Sequence, residues 1–502
     1  MQKSGTGGLD ALSIGVWVLL TVLAALVFFW PDRTIAHVDD LFFIPWAASY
    51  AESGAHINPL LAVQFPGLED YHLYTRFHPI LSGLFLRLFG ISTVSVVAYE
   101  FTCYFLTTLA FSALCLTLRL PKAALFAPVL FAPMYVVTGF RLEITACVLW
   151  MAGLFLLFAS ARLQEREGHG MRVSSLRSLA KLALAFAPLA SPAVFAWSLG
   201  AILMHDAWRL WFRQADFRRL FLENAVALTV GLLAFSVSID FDYAEFFRQF
   251  IYHSQRSTGG GVNGEALGRA VVFAGAALVS FRRAREVALL CALLAAGQAL
   301  GAVLHDKVLV RNLAACVAFL TVVDVLARER FRGLAFALYG AVFLVVSANF
   351  LLFYVLSSEV GQRQAVVEDY RDDVSAQRRV FIDETMAHHY LDHQTGDALS
   401  WTWGREFPLA RAEFLRELYP GDVWYVSPYT FFGYLKGHPR ISRALAKVIP
   451  YERTPQLPCV MGRHSCRLPA ERWAMLRLER DGDSVLVRDY ANGREVTVPV
   501  RK

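Results

Sequence analysis

The sequence is dominated by apolar runs long enough to cross a lipid bilayer, separated by short charged segments. A helix needs about 20 apolar residues to span the hydrocarbon core. Such runs lie at 11–30, 93–118, 123–139, 142–161, 223–239, 266–281, 287–304, 310–327 and 334–356. With 56% hydrophobic and 18% charged residues over 502 positions, the chain is too apolar for a soluble globular protein. We therefore predict an α-helical polytopic membrane protein.

One further apolar stretch, 179–207, is too long for a single crossing and is interrupted by Ser191-Pro192. Because proline breaks a helix, we predict two short helices that meet in a tight turn. The predicted number of transmembrane helices is then about eleven. The first run has no small-residue cleavage site before Pro31, so it is predicted to be a retained anchor.

Basic residues fix the predicted orientation. If the N-terminus is cytoplasmic, the cytoplasmic ends hold eighteen Lys and Arg residues and the opposite loops hold nine. This bias satisfies the positive-inside rule and predicts a multi-pass protein of the inner (plasma) membrane. The short clusters are explained by topology, and no nucleic-acid partner is expected.

Eleven crossings place the residues after about 357 outside the cytoplasm. We predict a transmembrane domain over 1–356 and an extracytoplasmic soluble domain over 357–502, a small α/β domain. It begins with a charged helix, 359–393, and ends with strands at 473–480, 484–490 and 494–500. Cys459 and Cys466 lie seven positions apart in this polar segment. In an extracytoplasmic location they either form a disulfide with each other or do not, and both alternatives stay open.

The longest loop between the predicted spans is the first outer loop, 31–92, which opens with His37-Val38-Asp39-Asp40. Long loops in compact proteins usually have a function. Two adjacent carboxylates repel each other, so one can act as a proton acceptor, or the pair can hold a divalent cation. The alternative is a solvated helix N-terminus in which Asp40 caps the run 41–51.

Several features together resemble the GT-C class of glycosyltransferases. They are the N-terminal transmembrane helix, the acidic pair at the start of the long outer loop, an interfacial helix entered through His78-Pro79, the many spans and the terminal extracytoplasmic domain. This class uses polyprenyl-phosphate sugars and includes protein mannosyltransferases, aminoarabinose transferases of lipid A and arabinofuranosyltransferases of cell walls. The resemblance covers about 350 residues, the membrane part of the chain.

The resemblance implies an inverting glycosyltransferase that moves a sugar from a polyprenyl-phosphate donor to an extracytoplasmic glycan, lipid or protein. The first-loop acid of the class is held to be the general base that deprotonates the acceptor hydroxyl, and this role falls on Asp39 or Asp40. The class more often has Asp-Glu at this point, so the choice between the two residues stays open. A divalent cation at the same pair also stays open.

Other outward-facing polar residues are candidates for binding the donor. The resemblance places Arg141 and Glu143, in a minimal loop between two spans, against the sugar or its phosphate; the alternative is a salt bridge from Arg141 to a loop carboxylate. His305, Lys307 and Arg311 resemble the phosphate-binding loop of the class, and the alternative is ordinary anchoring to lipid headgroups. His78 is either a substrate ligand or a structural hydrogen-bonding group.

Two other function classes compete with this interpretation. A secondary transporter or lipid flippase would carry ionisable residues at mid-membrane. The predicted spans are nearly free of charge away from their ends; the exceptions are Glu100 and Asp324, and each is expected close to a membrane face. A membrane scaffold explains the terminal domain but leaves the charged cluster at 304–312 without a role. The sequence has no phosphate-binding glycine loop, which argues against a cytoplasmic nucleotide-sugar donor.

Overall fold

The computed structural model describes residues 11–29, 40–58, 75–168, 170–215, 217–257, 263–302, 308–327, 333, 337–341, 344, 363–382, 391, 397–398, 420–426, 475–490 and 493–499. Five residues singled out from the sequence lie outside these ranges: Asp39, His305, Lys307, Cys459 and Cys466. The disulfide and the phosphate-loop residues His305 and Lys307 therefore stay predictions.

Helices make up most of the described chain. They are α1 (Ala11–Phe28), α2 (Asp40–Ser53), α3 (Phe77–Phe89), α4 (Thr93–Thr117), α5 (Pro121–Thr138), α6 (Leu142–Glu167), α7 (Met171–Ala190), α8 (Phe195–Trp211), α9 (Phe217–Ser238), α10 (Tyr243–Ser257), α11 (Gly264–Phe281), α12 (Arg285–Gly301), α13 (Val308–Ala327) and α14 (Arg363–Ser375).

Seven of the described helices are long and apolar enough to cross a membrane: α1, α4, α6, α7, α9, α11 and α13. Fewer than a quarter of the residues are buried in the spans of α1, α9 and α11, whereas more than half are buried in those of α4, α6 and α13. Exposed apolar faces of this extent fit contact with lipid tails, since they would be unstable in water. The polytopic membrane architecture predicted from the sequence is confirmed.

The two ends of the bundle collect the loops that the sequence assigns to opposite sides. At one end, Arg162 donates hydrogen bonds to the Thr117 carbonyl and the Glu286 carboxylate. The other end gathers Asp40, Phe140 and the C-terminus of α7, and we call it the site end. Helices α4 to α7 thus alternate in direction, and the cytoplasmic location of the N-terminus stays a prediction.

The interrupted stretch forms two helices, as predicted. Helix α7 ends at Ala190, a 3-10 turn covers Pro192–Val194, and α8 begins at Phe195. However, α7 begins at Met171 and not near 179, so Arg177 and Lys181 lie on the helix and are buried. Both residues are among the eighteen that the sequence assigns to the cytoplasmic ends of the spans. They can be buried on the helix because acids from α8 and α9 neutralise them.

Asp324, one of the two acids that the sequence places inside a span, caps a helix. Its carboxylate accepts hydrogen bonds from the backbone N–H groups of Lys122 and Ala123, at 2.9 and 3.0 Å. These N–H groups belong to the first turn of α5, where a helix leaves its donors without internal partners. The contact gives Asp324 a structural role and joins α13 to α5 at the end opposite the site end.

The C-terminal part contains α14 and a six-stranded sheet. Its strands are β1 (Arg379–Ile382), β2 (Asp397–Ala398), β3 (Asp422–Val426), β4 (Leu476–Asp481), β5 (Ser484–Asp489) and β6 (Arg494–Pro499). The spatial order is β2-β1-β3-β4-β5-β6, with β1 parallel to both of its neighbours and the remaining pairs antiparallel. The three terminal strands predicted from the sequence are confirmed.

The predicted charged helix 359–393 is wrong over residues 376–382. Helix α14 ends at Ser375, Gln377 adopts a left-handed backbone conformation with φ of 57°, and residues 379–382 form strand β1. Val380, Phe381 and Ile382 are all buried in the sheet. Burying these β-branched and aromatic side chains between two parallel neighbours outweighs the local helical tendency.

Candidate active site

Asp40 is the first residue of α2, and its side chain is buried at the junction with the loop between α5 and α6. Its Oδ1 atom accepts a hydrogen bond of 3.0 Å from the backbone N–H of Phe140. Helix α2 begins where the sequence predicts. The alternative interpretation, a solvated helix N-terminus, is wrong, because Asp40 has no exposed surface. The carboxylate is instead fixed against a second part of the chain.

The loop that contacts Asp40 ends at Arg141, and Glu143 follows in the first turn of α6. Gly139 adopts φ of 72°, which suits a residue without a side chain, and the chain then turns through Phe140 into α6. Arg141 Nε lies 3.1 Å from Glu143 Oε2, and Arg141 Nη2 lies 3.3 Å from Glu143 Oε1. The salt bridge that was the alternative interpretation of Arg141 is thus present, with Glu143 of α6 as its partner. Binding of the donor by this pair stays a prediction.

Asp40, Arg141 and Glu143 form one cluster, since Phe140 is bonded to Asp40 and precedes Arg141. Glu143 is buried in the first turn of α6, where the helix dipole favours a negative charge. The Arg141 guanidinium is largely shielded from solvent, so its planar pairing with Glu143 is stronger than a surface pair. Asp40 and Phe140 are 100 positions apart in the sequence, and their hydrogen bond places Asp40 beside the loop that precedes the Arg141–Glu143 pair.

His78 lies next to this cluster, in the first turn of α3. It is fully buried, and its Nδ1 atom lies 2.7 Å from the Thr145 hydroxyl on α6. Burial lowers the pKa of His78 to about 3, so the imidazole is neutral at physiological pH. The contact with Thr145 fits the alternative of a structural hydrogen-bonding group, and the role of His78 as a substrate ligand stays a prediction.

Arg311 lies in the first turn of α13, toward the site end. Asp324 marks the opposite end of that helix, and thirteen residues of helix separate the two by about 20 Å. Since α13 packs beside α5, whose last residue is Thr138, Arg311 is on the same side of the bundle as Arg141. Of the three residues predicted to bind the phosphate, His305, Lys307 and Arg311, the structure describes Arg311.

Residues 75 and 76 add contacts that the sequence did not reveal. Thr75 donates a hydrogen bond to the carbonyl of Leu189, and Arg76 pairs with Asp240. Asp240 and Phe241 both have positive φ, 50° and 59°, which is uncommon for residues with a side chain. The entry to α3 is thereby tied to the ends of α7 and α9, and an adjacent pair of left-handed residues is hard to recognise from sequence.

A second charged cluster lies away from the site end, between α7, α8 and α9. Lys181 Nζ donates to Asp206 Oδ2 at 2.8 Å, and Arg209 Nη1 donates to Glu223 Oε2 at 2.8 Å. Arg177 also pairs with Glu223. The sequence shows these charges but not their burial, so the network was missed as a structural feature.

The sequence leaves open whether the candidate site binds a divalent cation. In the ranges that the structure covers, no group of three His, Cys, Asp or Glu side chains is placed to hold a metal ion. Of the two predicted ligands, Asp39 and Asp40, the structure describes Asp40, so the cation site stays a prediction.

Two solved structures share this fold. ArnT from Cupriavidus metallidurans bound to undecaprenyl phosphate superposes with a TM-score of 0.53 and 15% identity, covering 84% of this chain and 95% of that one. The apo state of ArnT gives a TM-score of 0.55 and 16% identity, covering 85% and 95%. No protein-family model and no curated protein matches the sequence. The likeness confirms the predicted GT-C-like fold.

Proposed function

We propose that this protein is a membrane glycosyltransferase that moves a sugar from a polyprenyl-phosphate donor to an extracytoplasmic acceptor. The observation that carries the proposal is the fold shared over 84% of the chain with ArnT, which was crystallised with undecaprenyl phosphate. A second support is the hydrogen bond between Asp40 and Phe140, because it places a candidate base beside the loop that leads to the Arg141–Glu143 pair. The other partners are membrane lipids.

In the proposed reaction, a carboxylate of the Asp39-Asp40 pair accepts the proton of the acceptor hydroxyl. The hydroxyl oxygen attacks the anomeric carbon from the face opposite the phosphate, so the new glycosidic bond has inverted configuration. The bond between that carbon and the phosphate oxygen breaks, and its electron pair leaves with the polyprenyl phosphate. General-base help of this kind contributes about 10²- to 10⁴-fold in rate.

The cations have separate proposed roles. Lys307 and Arg311 stabilise the negative charge on the departing phosphate, since a fixed cation at a developing anion lowers the barrier. Arg141 is held in a planar pair by Glu143 and orients the sugar or its phosphate. Donors of this kind bring their own leaving group, so the reaction needs no nucleotide.

The alternative of a secondary transporter or flippase rests on ionisable groups inside the spans. Asp324 caps α5, and the carboxylates of Asp206 and Glu223 each accept bonds from described cations. These contacts are those of structural groups, whereas a transport site needs charges that bind and release an ion. Glu100, the other acid that the sequence places inside a span, is buried in α4. The contacts of Asp324, Asp206 and Glu223 favour the transferase.

The test is transfer by purified protein in phospholipid vesicles from a panel of labelled polyprenyl-phosphate sugars: aminoarabinose, mannose and arabinofuranose. Asp40→Asn and Asp39→Asn are compared with Asp242→Asn, an exposed acid in the loop after α9. We expect at least one of the first two to lose about 10²-fold or more in kcat and the control to match wild type. Full transfer by both variants would contradict the assignment of the base, and no transfer by wild type from any donor would contradict the function.

A further inference from the structure

His78 occupies the point at which the three chain segments that carry the candidate site meet. It lies in the first turn of α3, and neither it nor the following Pro79 is exposed. Its Nδ1 atom lies 2.7 Å from Thr145 Oγ1, and the same hydroxyl lies 2.8 Å from Tyr99 OH on α4. Thr145 is two residues beyond Glu143, so this bond fixes the turn that holds the Arg141–Glu143 pair.

The faces and edges of the imidazole ring contact the remaining parts of the site. The ring centroid lies 6.0 Å from that of Phe43, on the same helix as Asp40, with the two rings nearly perpendicular. It lies 5.2 Å from the ring of Phe140, whose N–H binds Asp40. Edge-to-face aromatic contacts at these distances are stabilising and have defined geometry. One side chain therefore touches α2, α6 and the loop between α5 and α6.

We propose that His78 is a positioning residue that sets the Asp40 carboxylate relative to the Arg141–Glu143 pair through its contacts with Phe43, Phe140 and Thr145. The proposal rests on the proposed function and deepens it, because it gives a role in transfer to a residue that does not bind the substrate. A displacement of about 1 Å at a reacting group can cost on the order of 100-fold in rate. The loss then appears in kcat.

The surroundings of His78 argue against the alternative in which it binds the donor phosphate. A phosphate ligand acts through positive charge, and the low pKa caused by burial keeps this imidazole neutral. Among the described residues, Nε2 has no hydrogen-bond partner, and three aromatic rings surround the side chain. This environment favours a fixed neutral ring.

The test is a double-mutant cycle on the full-length protein, with transfer from a labelled polyprenyl-phosphate sugar as the assay. His78→Phe keeps a ring and removes the hydrogen bond, and Thr145→Val removes the same bond from the other side. Tyr99→Phe is the matched control, since it removes one bond of Thr145 and leaves the bond to His78. Melting temperatures of the purified variants are measured in parallel.

We expect His78→Phe and Thr145→Val each to lower kcat about 10- to 100-fold with little change in the KM for the donor. The double variant should be no slower than the slower single variant, because both substitutions remove the bond between His78 and Thr145. Tyr99→Phe should keep most of the activity, and His78→Asn, which can still bond Thr145, should be faster than His78→Leu.

Three outcomes overturn the proposal. A raised donor KM in His78→Phe, with activity kept in His78→Lys, would make His78 a phosphate ligand. An unchanged kcat with a lowered melting temperature would make it a purely structural residue. Additive losses in the double variant would show that the two residues act separately. Failure of the proposed function is distinct from these, because then wild-type protein transfers nothing from any donor.

Discussion

The backbone N–H of Phe140 donates a hydrogen bond of 3.0 Å to the carboxylate of Asp40, which links the first outer segment to the loop before α6. The two groups are buried, so neither can exchange this partner for water at low cost. Asp40 therefore has a structural task in addition to its proposed chemical one. Variants can separate the two tasks.

Asp40→Asn and Asp40→Ala should differ in stability, whichever of Asp39 and Asp40 is the base. The amide oxygen of Asn can still accept the bond from Phe140, whereas Ala leaves a buried donor without its partner, at a cost of about 1–3 kcal/mol. Melting temperatures of the purified proteins, with transfer rates on the same samples, make the comparison. Equal stability of the two variants would mean that the contact with Phe140 contributes nothing to folding.

Arg141→Met should destabilise the protein by about 3–5 kcal/mol, because it leaves Glu143 buried and negatively charged. The double variant Arg141→Met/Glu143→Leu should recover much of that loss. Arg248→Met is the matched control, since the Arg248–Glu245 pair is exposed and contributes at most about 1 kcal/mol. The denaturation midpoints of the purified variants are the measurement. A double variant that is less stable than Arg141→Met would contradict the expectation.

The sequence was informative where a local pattern determines structure. Spanning helices follow from apolar length, the break at Ser191-Pro192 from proline chemistry, and the strands after residue 475 from alternation and glycine turns. The start of α2 at Asp40 follows from an acid placed before an apolar run. These features depend on neighbours within a few residues.

Contacts between segments that are far apart in the sequence could not be predicted from it. The burial of Arg177 and Lys181 depends on Asp206 and Glu223, which lie on other helices. Likewise, the partner of Asp40 is a backbone N–H that has no signature in the sequence. Residues 379–382 became a strand because two other strands flank them, so a helical composition nearby misled the prediction.

Glu223→Gln should destabilise the bundle without affecting the chemistry of transfer. Arg177, Lys181 and Arg209 would lose a buried counter-charge, at a cost of about 3–5 kcal/mol. Glu165→Gln is the control, because the exposed Arg162–Glu165 pair contributes at most about 1 kcal/mol. Thermal melts give the stability, and kcat per folded molecule should match wild type. A lost kcat at unchanged melting temperature would give the network a functional role.

Gly200→Ala and Gly275→Ala should have effects of opposite sign. A Cβ atom on Gly200 would lie 2.6 Å from the backbone nitrogen of Gly297, so α8 and α12 must separate, at a cost of about 1–3 kcal/mol. A Cβ on Gly275 meets nothing within 4 Å, and Ala is the better helix former by about 0.5–1 kcal/mol. Melting temperatures of the two variants test this, and a stable Gly200→Ala protein would contradict the close packing.

Asp373 should make the C-terminal sheet sensitive to acid. Burial alone would raise the pKa of Asp373, but hydrogen bonds from Arg477 and Tyr425 outweigh it and lower the pKa below the ordinary value of 3.8. A carboxyl whose pKa is lower in the folded state stabilises the fold above its unfolded pKa. That contribution is lost as the pH falls through 3.8 toward the folded pKa.

The measurement is hydrogen-exchange protection of strands β3 and β4 in the intact protein at a series of pH values. Asp373→Asn should lower protection near neutral pH, and the difference from wild type should shrink as the pH falls below about 4. Asp372→Asn, the exposed neighbour, is the control and should match wild type throughout. A difference that stays constant down to about pH 3 would show that the carboxylate charge is not what stabilises the sheet.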